Sequence, residues 1–336
     1  MLSEKAKDLF DKLALDYSPV AIDIKTEDLK NNLPQKLPYE KFPESTAWSD
    51  GVKLIQADMS AIACDTFLQV KYAEKDHLPL HLQIIQPRVA EGDTTTLFPL
   101  IVFIQGSAWL KQNCGRDLTQ LSIFAKRGYV VAIVEHRPAY VAPFPAQIKD
   151  ANTAVRFLVE NGKAYHADCN NIIMWGTSSG AHTINMVNVT WNDPDFTDEK
   201  DGVRPPIKAF IDYYGPSDIT RIQSETPTYE YLTKETPEGM LLGDVPVDKL
   251  PEAVAKANPI HYLKPHFKVS PTLIMHGSKD RQCPFLQSVL YYNALKETGN
   301  DVECYQLKSA DHGGAAFWTD DILNIVERFI KRNLKQ

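Results

Sequence analysis

The sequence predicts an α/β fold built on a mostly parallel sheet covered on both faces. Two observations carry that expectation. Short continuous apolar runs recur at Leu100–Ile104, Tyr129–Val134, Asn171–Trp175, Ala209–Tyr214 and Thr272–Met275, and a strand reads this way when both its faces are buried. Between them lie segments whose apolar residues fall at helical spacing, and such alternation implies crossover connections in a parallel sheet. The composition fits a globular chain: of 336 residues, 43% are hydrophobic and 24% charged.

Taken in order, Ala6, Leu9, Phe10 and Leu13 share one helical face, and a Pro-rich stretch (Pro34, Pro38, Pro43) should be irregular. Residues 1–60 are therefore expected to form an N-terminal extension, and 61–336 the main domain. Segments 66–72 and 80–86 read as a hairpin, followed by a polar linker over 88–96. Asp117–Arg127 is helical and stops at Gly128; residues 146–161 are helical and stop at Gly162. A helix should follow over Ala181–Val189, another between Pro284 and Gly299, and a last strand at Val302–Leu307. The C-terminal helix, 320–334, should bury Ile322, Ile325, Val326, Phe329 and Ile330. Residues 216–265, rich in Pro and Thr, break the rhythm and are expected to be a small cap insertion.

Several functions are disfavoured. No stretch is long and apolar enough to predict a transmembrane helix. A net charge of −7, from 36 basic and 43 acidic residues, argues against a nucleic-acid binder. The N-terminal MLSEKAKDLF lacks the apolar core of a secretory signal, so a cytoplasmic location is expected. Five scattered cysteines form no C-x-x-C pair and read as reduced structural thiols. With no H-E-x-x-H, P-loop or G-x-G-x-x-G, neither a metal nor a cofactor is expected. Homo-oligomerisation is left open.

The chemistry concentrates at the carboxyl ends of the strands, where open α/β sheets bind ligands. Gly176-Thr177-Ser178-Ser179-Gly180 is a G-x-S-x-G pentapeptide between a strand and a helix, the setting of a nucleophile elbow. A serine hydroxyl needs a base. His312, in the loop after the last strand, is the first candidate; His182 should point along its helix and His276 should be a packed histidine. The base needs a carboxylate. Asp280 lies between Ser178 and His312 in the chain, with Asp218 its competitor and Asp311 read as a solvated loop residue. Oxyanion donors are expected from the N–H of Ser179 and from the loop after Leu100–Ile104, Ser107 first and Gly106 second.

With these residues in place the chain resembles the α/β-hydrolase superfamily over roughly residues 66–336, in its esterase and lipase branch: hormone-sensitive-lipase-like enzymes and bacterial carbohydrate (acetyl or feruloyl) esterases. Gln105-Gly106-Ser107-Ala108-Trp109 is similar to H-G-G-G/A-W, Gly176–His182 to G-x-S-A/S-G-G-H, Tyr214–Ile219 to Y-G-P-x-D-I/L, His276–Pro284 to H-G-x-x-D-x-x-V-P, and Asp311-His312-Gly313 to G-H-G. The chain departs from the pattern at Gln105, Ser107, Ala181 and Cys283. The resemblance implies a cofactor-free serine carboxylesterase acting through an acyl-enzyme on a small-molecule ester, with small acyl or hydroxycinnamoyl groups as substrate class. Two alternatives share the fold: a prolyl-oligopeptidase-type peptidase, disfavoured because about 60 preceding residues are too few for a propeller, and a non-catalytic binding protein.

Overall fold

The computed structural model describes residues 36–47, 49–191, 193–198, 207–225, 227–249 and 251–334; the helical face expected around Leu9 lies outside them. The chain divides into two compact units, Met1–Asp58 and Met59–Gln336. In the first, the described residues carry one 3-10 turn, Tyr39–Lys41.

Among its described residues the second unit holds eight strands: β1 (Cys64–Lys75), β2 (Leu78–Pro87), β3 (Phe98–Ile104), β4 (Val130–Val134), β5 (Ala167–Thr177), β6 (Ile207–Tyr213), β7 (Thr272–Gly277) and β8 (Val302–Leu307). They form one sheet in the order β1-β2-β4-β3-β5-β6-β7-β8. β1 and β2 are the expected antiparallel hairpin, β2 pairs antiparallel with β4, and every other pairing is parallel. The helices are α1 (Leu118–Lys126), α2 (Ala146–Asn161), α3 (Ser179–Thr190), α4 (Pro237–Leu241), α5 (Pro251–Lys256), α6 (Leu286–Glu297) and α7 (Asp320–Leu334).

The two-residue period of the strands explains their unbroken apolar runs. Leu100, Val102 and Ile104 face one way with Val130, Ala132 and Val134, packing on Ile148, Val155 and Leu158 of α2 and Ile184 and Val187 of α3. Ile101, Phe103, Val131, Ile133, Ile173 and Trp175 face the other way, onto Leu121 and Phe124 of α1 and Val326, Phe329 and Ile330 of α7. This is the α/β-hydrolase architecture, and α3, packed on one face of the sheet, is buried at every residue.

Some boundaries differ from expectation. α2 does end at Asn161 with Gly162 as its stop, but Gly162 has φ −61° and opens a 3-10 turn that ends at His166, φ 55°. Glycine is needed there for room, since a Cβ would lie 2.5 Å from Cys169 Sγ. α6 begins at Leu286 and not at Pro284, whose carbonyl accepts from the Gln287 N–H. On α7, Leu323 is buried while Ile322 and Ile325 are only half-buried. The described residues between β6 and β7 carry only short helices, among them α4 and α5. No described helix is long and apolar enough to cross a membrane.

Candidate active site

Ser178 sits between the last residue of β5 and the first of α3 with φ 51° and ψ −124°. A side-chain-bearing residue in this region costs about 1–3 kcal/mol, so the surroundings must hold it there. They do. The Ser178 N–H donates to Tyr213 O at 2.8 Å. The flanking glycines allow the crowding: a Cβ at Gly176 would lie 2.4 Å from Gly180 O, and one at Gly180 would lie 2.1 Å from Ile104 O.

From Ser178 a hydrogen-bonded chain runs across the sheet edge. Ser178 Oγ is 2.8 Å from His312 Nε2, and His312 Nδ1 is 2.7 Å from Asp280 Oδ2. With the carboxylate accepting at Nδ1–H, Nε2 is left as the acceptor for the serine hydroxyl proton. Asp280 has no free acceptor position to spare. Its Oδ1 accepts the N–H groups of Gln282 and Cys283, both at 2.8 Å. Its Oδ2 also faces His276 Nε2 at 3.1 Å. Burial pushes the Asp280 carboxyl up, but hydrogen bonds from His276 and His312 outweigh that and hold it well below the usual carboxylate range.

The competitors lie elsewhere. Asp218 caps a 3-10 turn, accepting from the Thr220 N–H at 3.1 Å and from Asn258 Nδ2 at 3.0 Å. Asp311 is an ion-pair partner, 2.7 Å from Arg281 Nε, and more than a solvated loop residue. His276 is packed as expected, with Nδ1 at 2.7 Å from Ser288 Oγ and Nε2 at 2.8 Å from Cys283 O. Its contact with Asp280 was not foreseen. Tyr214 packs its ring on His312, centroids 4.6 Å apart, and fixes the imidazole from one side.

The loop after β3 is arranged differently from expectation. The Ser107 N–H donates to Ser179 Oγ at 2.9 Å, and the Gly106 N–H to Thr177 Oγ1 at 2.8 Å. Both N–H groups therefore tie the loop to the elbow. The next residues, Ala108 (φ 51°) and Trp109 (φ 56°), turn left-handed. The Ala108 N–H has no hydrogen-bond partner among the described residues, and Ala108, Ser178 and Ser179 line one cavity. Ser179 opens α3, where N–H groups have no intrahelical partner. Sequence reasoning did not single out the Ala108 N–H, because only the fold shows which backbone donors are already taken. Gln105 braces the loop as an amide can: its Nε2 donates to Asp117 Oδ2 at 2.6 Å and its Oε1 accepts the Asn113 N–H at 2.9 Å.

His182 does not reach Ser178. It is fully buried, accepts from Trp109 Nε1 at Nδ1 (3.1 Å) and donates from Nε2 to Ala257 O (2.7 Å). Burial lowers its pKa to about 4, which keeps the neutral ring that this pattern requires. One imidazole thus joins the β3 loop, α3 and the segment between β6 and β7. That segment is also held elsewhere. The Phe144 N–H donates to Leu241 O at 2.8 Å, and the hydroxyls of Thr228 and Tyr231 donate to Arg281 O and Gln282 O.

Two cavities meet at Ser178, Ala108 and His312. One, about 200 Å³, is walled by Trp109, Pro216, Ile222, Tyr231 and Cys283 and includes Glu238. The other, about 670 Å³, is lined by Gly106, Arg116, Asp117, Tyr214, Gly313 and Trp318. Phe317, in contrast, is core. Burial pushes the Cys283 thiol well above its ordinary value, so it stays protonated beside the serine. Among the described residues no group of three or more His, Cys, Asp or Glu is placed to hold a metal ion.

Comparison with known proteins agrees with this fold. A truncated carbohydrate esterase from gut microbiota superposes with a TM-score of 0.67 at 24% identity, over 83% of this chain and 99% of that one. A bifunctional GH43-CE protein of Bacteroides eggerthii gives 0.67 at 26% identity, over 80% of this chain and 38% of that one. Among curated relatives, esterase LipC of Mycobacterium tuberculosis is 26% identical over 226 residues, 64% of this chain and 53% of that protein. The chain spans about half the length of the curated relatives it matches first. The BD-FAE family model matches residues 82–295, which include Ser178, Asp280 and the loop at 105–109, and on that match the chain belongs to the BD-FAE family.

Proposed function

We propose that the chain is a serine carboxylesterase in which residues 61–336 are the catalytic domain and 216–265 its cap. The observation that carries this reading is the hydrogen-bonded chain Ser178–His312–Asp280 at 2.8 and 2.7 Å. Ser178 Oγ attacks the ester carbonyl while His312 Nε2 takes its proton, and Asp280 holds the tautomer and offsets the imidazolium charge. The tetrahedral oxyanion is met by the N–H groups of Ser179 and Ala108, each worth about 3–4 kcal/mol to such a step. Ser107 and Gly106 hold the loop that presents Ala108. His312 then protonates the leaving alcohol, and water returns along the same route to hydrolyse the acyl-enzyme.

The substrate is a small-molecule ester. The cavity of about 200 Å³ suits one small arm of it, and the more open one of about 670 Å³ suits a bulkier arm. This supports acetyl or hydroxycinnamoyl esters of a sugar or other alcohol, as does the structural relative named a carbohydrate esterase. Ser178→Ala should abolish p-nitrophenyl acetate hydrolysis and fluorophosphonate labelling while the circular dichroism spectrum is kept. Full hydrolysis by that variant would remove the serine mechanism.

A further inference from the structure

α4 is a five-residue helix, Pro237–Leu241, whose N-terminus Thr236 already caps through Oγ1, accepting the Gly239 N–H at 3.1 Å. A glutamate at the second position of such a helix ordinarily faces water. Glu238 instead is 4% exposed and lines the 200 Å³ cavity together with Ser178, Ala108 and Trp109. Its Oε2 is buried with no hydrogen-bond partner among the described residues. The helix cannot easily turn it outward: a Cβ on Gly239 would lie 2.3 Å from Thr233 O, so this turn is pressed onto the preceding loop.

The neighbouring carboxylate is placed differently. Glu230 lines the same cavity, but its Oε1 accepts the N–H groups of Tyr231 and Leu232 at 3.0 and 2.8 Å. No Lys or Arg lines the cavity. A buried polar atom without a partner is rare in folded proteins and calls for an explanation; here a partner can come only from what enters.

We propose that Glu238 is a specificity-determining residue that hydrogen-bonds a hydroxyl group of the substrate arm seated in this cavity. The inference rests on the esterase reading of the same site. A hydroxyl fits better than an ammonium. Burial pushes the Glu238 carboxyl up to about 7, so both of its protonation states occur near neutrality. A hydroxyl donates to the carboxylate and accepts from the acid, whereas an ammonium serves the carboxylate alone. The hydroxyl belongs either to a phenolic acyl group or to a sugar alcohol, and matched substrates separate the two.

The test compares kcat/KM for two ester pairs that differ by one hydroxyl: methyl 4-hydroxycinnamate against methyl cinnamate, and an O-acetyl sugar against its deoxy analogue. The wild-type enzyme should prefer the hydroxylated member of one pair by about tenfold or more. Glu238→Leu should bring that ratio near one, and Glu238→Gln should keep part of it, because an amide also donates and accepts. Glu238→Ala serves if the leucine variant does not fold. A wild-type ratio near one in both pairs, or a ratio unchanged in the leucine or alanine variant, overturns the proposal. So does a preference for a choline ester over its neutral isostere that disappears in Glu238→Gln. An inactive Ser178→Ala variant alongside unmoved ratios refutes the role of Glu238 alone, whereas an active one refutes the serine reading itself.

Discussion

Replacing Asp280 by asparagine tests the proton path at its base. The two backbone donors on Oδ1, Gln282 and Cys283 at 2.8 Å, accept no substitute but an oxygen. The asparagine amide must therefore turn its NH2 toward His312 Nδ1, now 2.7 Å from an acceptor. Two donors cannot face each other at that distance, so the imidazole shifts its proton to Nε2 and can no longer accept from Ser178. His276 offers no relief, since its Nε2–H can remain on Cys283 O at 2.8 Å. A triad carboxylate changed to its amide loses about 10⁴ in kcat by this inversion of tautomer, equivalent to about 5.4 kcal/mol of barrier. The assay is the steady-state hydrolysis of p-nitrophenyl acetate beside a thermal melt. A variant that melts like the wild type and keeps activity within tenfold would refute the reasoning.

Three further outcomes follow from the packing. Gly180→Ala places a Cβ 2.1 Å from Ile104 O and must part α3 from β3, costing about 3 kcal/mol or more; an unchanged melting temperature would contradict it. Trp109→Phe removes the donor to His182 Nδ1 inside the core and should cost about 1–3 kcal/mol in a denaturant titration, with no loss expected only if that hydrogen bond is absent. Glu238→Gln should make stability less sensitive to pH. Between its ordinary 4.5 and about 7 the folded carboxyl stays protonated while the unfolded one ionises, so wild-type stability falls as pH rises through that window, by about 3 kcal/mol. The variant's gain over wild type should be greatest above pH 7 and absent below 4.5, and equal gains at both ends would exclude the effect.

Much of the fold was legible because a doubly covered strand leaves a coarse mark. Val130–Val134 is apolar at every position since neighbours lie on both sides, and Leu118–Lys126 carries its apolar face at helical spacing. Chain order was enough to anticipate that Ser178, Asp280 and His312 meet at one sheet edge. What stayed hidden depends on partners distant in sequence. Whether an N–H at 106, 107 or 108 is free is decided by the Thr177 and Ser179 hydroxyls, about 70 positions away. The burial of Glu238 leaves no periodic signature, because a five-residue helix is too short to show one. Gly162 was legible as the helix stop, but glycine serves both for positive φ and for lack of bulk, and only the neighbouring Cys169 shows that room is what it supplies here.

The ties that hold the segment between β6 and β7, at Leu241, at Ala257 through His182, and at Arg281 and Gln282 through Thr228 and Tyr231, act as rivets on three sides. If this segment is the proposed cap, such fastening should make it sieve by shape without swinging. Turnover should then saturate smoothly with dissolved ester, with no jump in rate when the substrate passes into micelles or droplets.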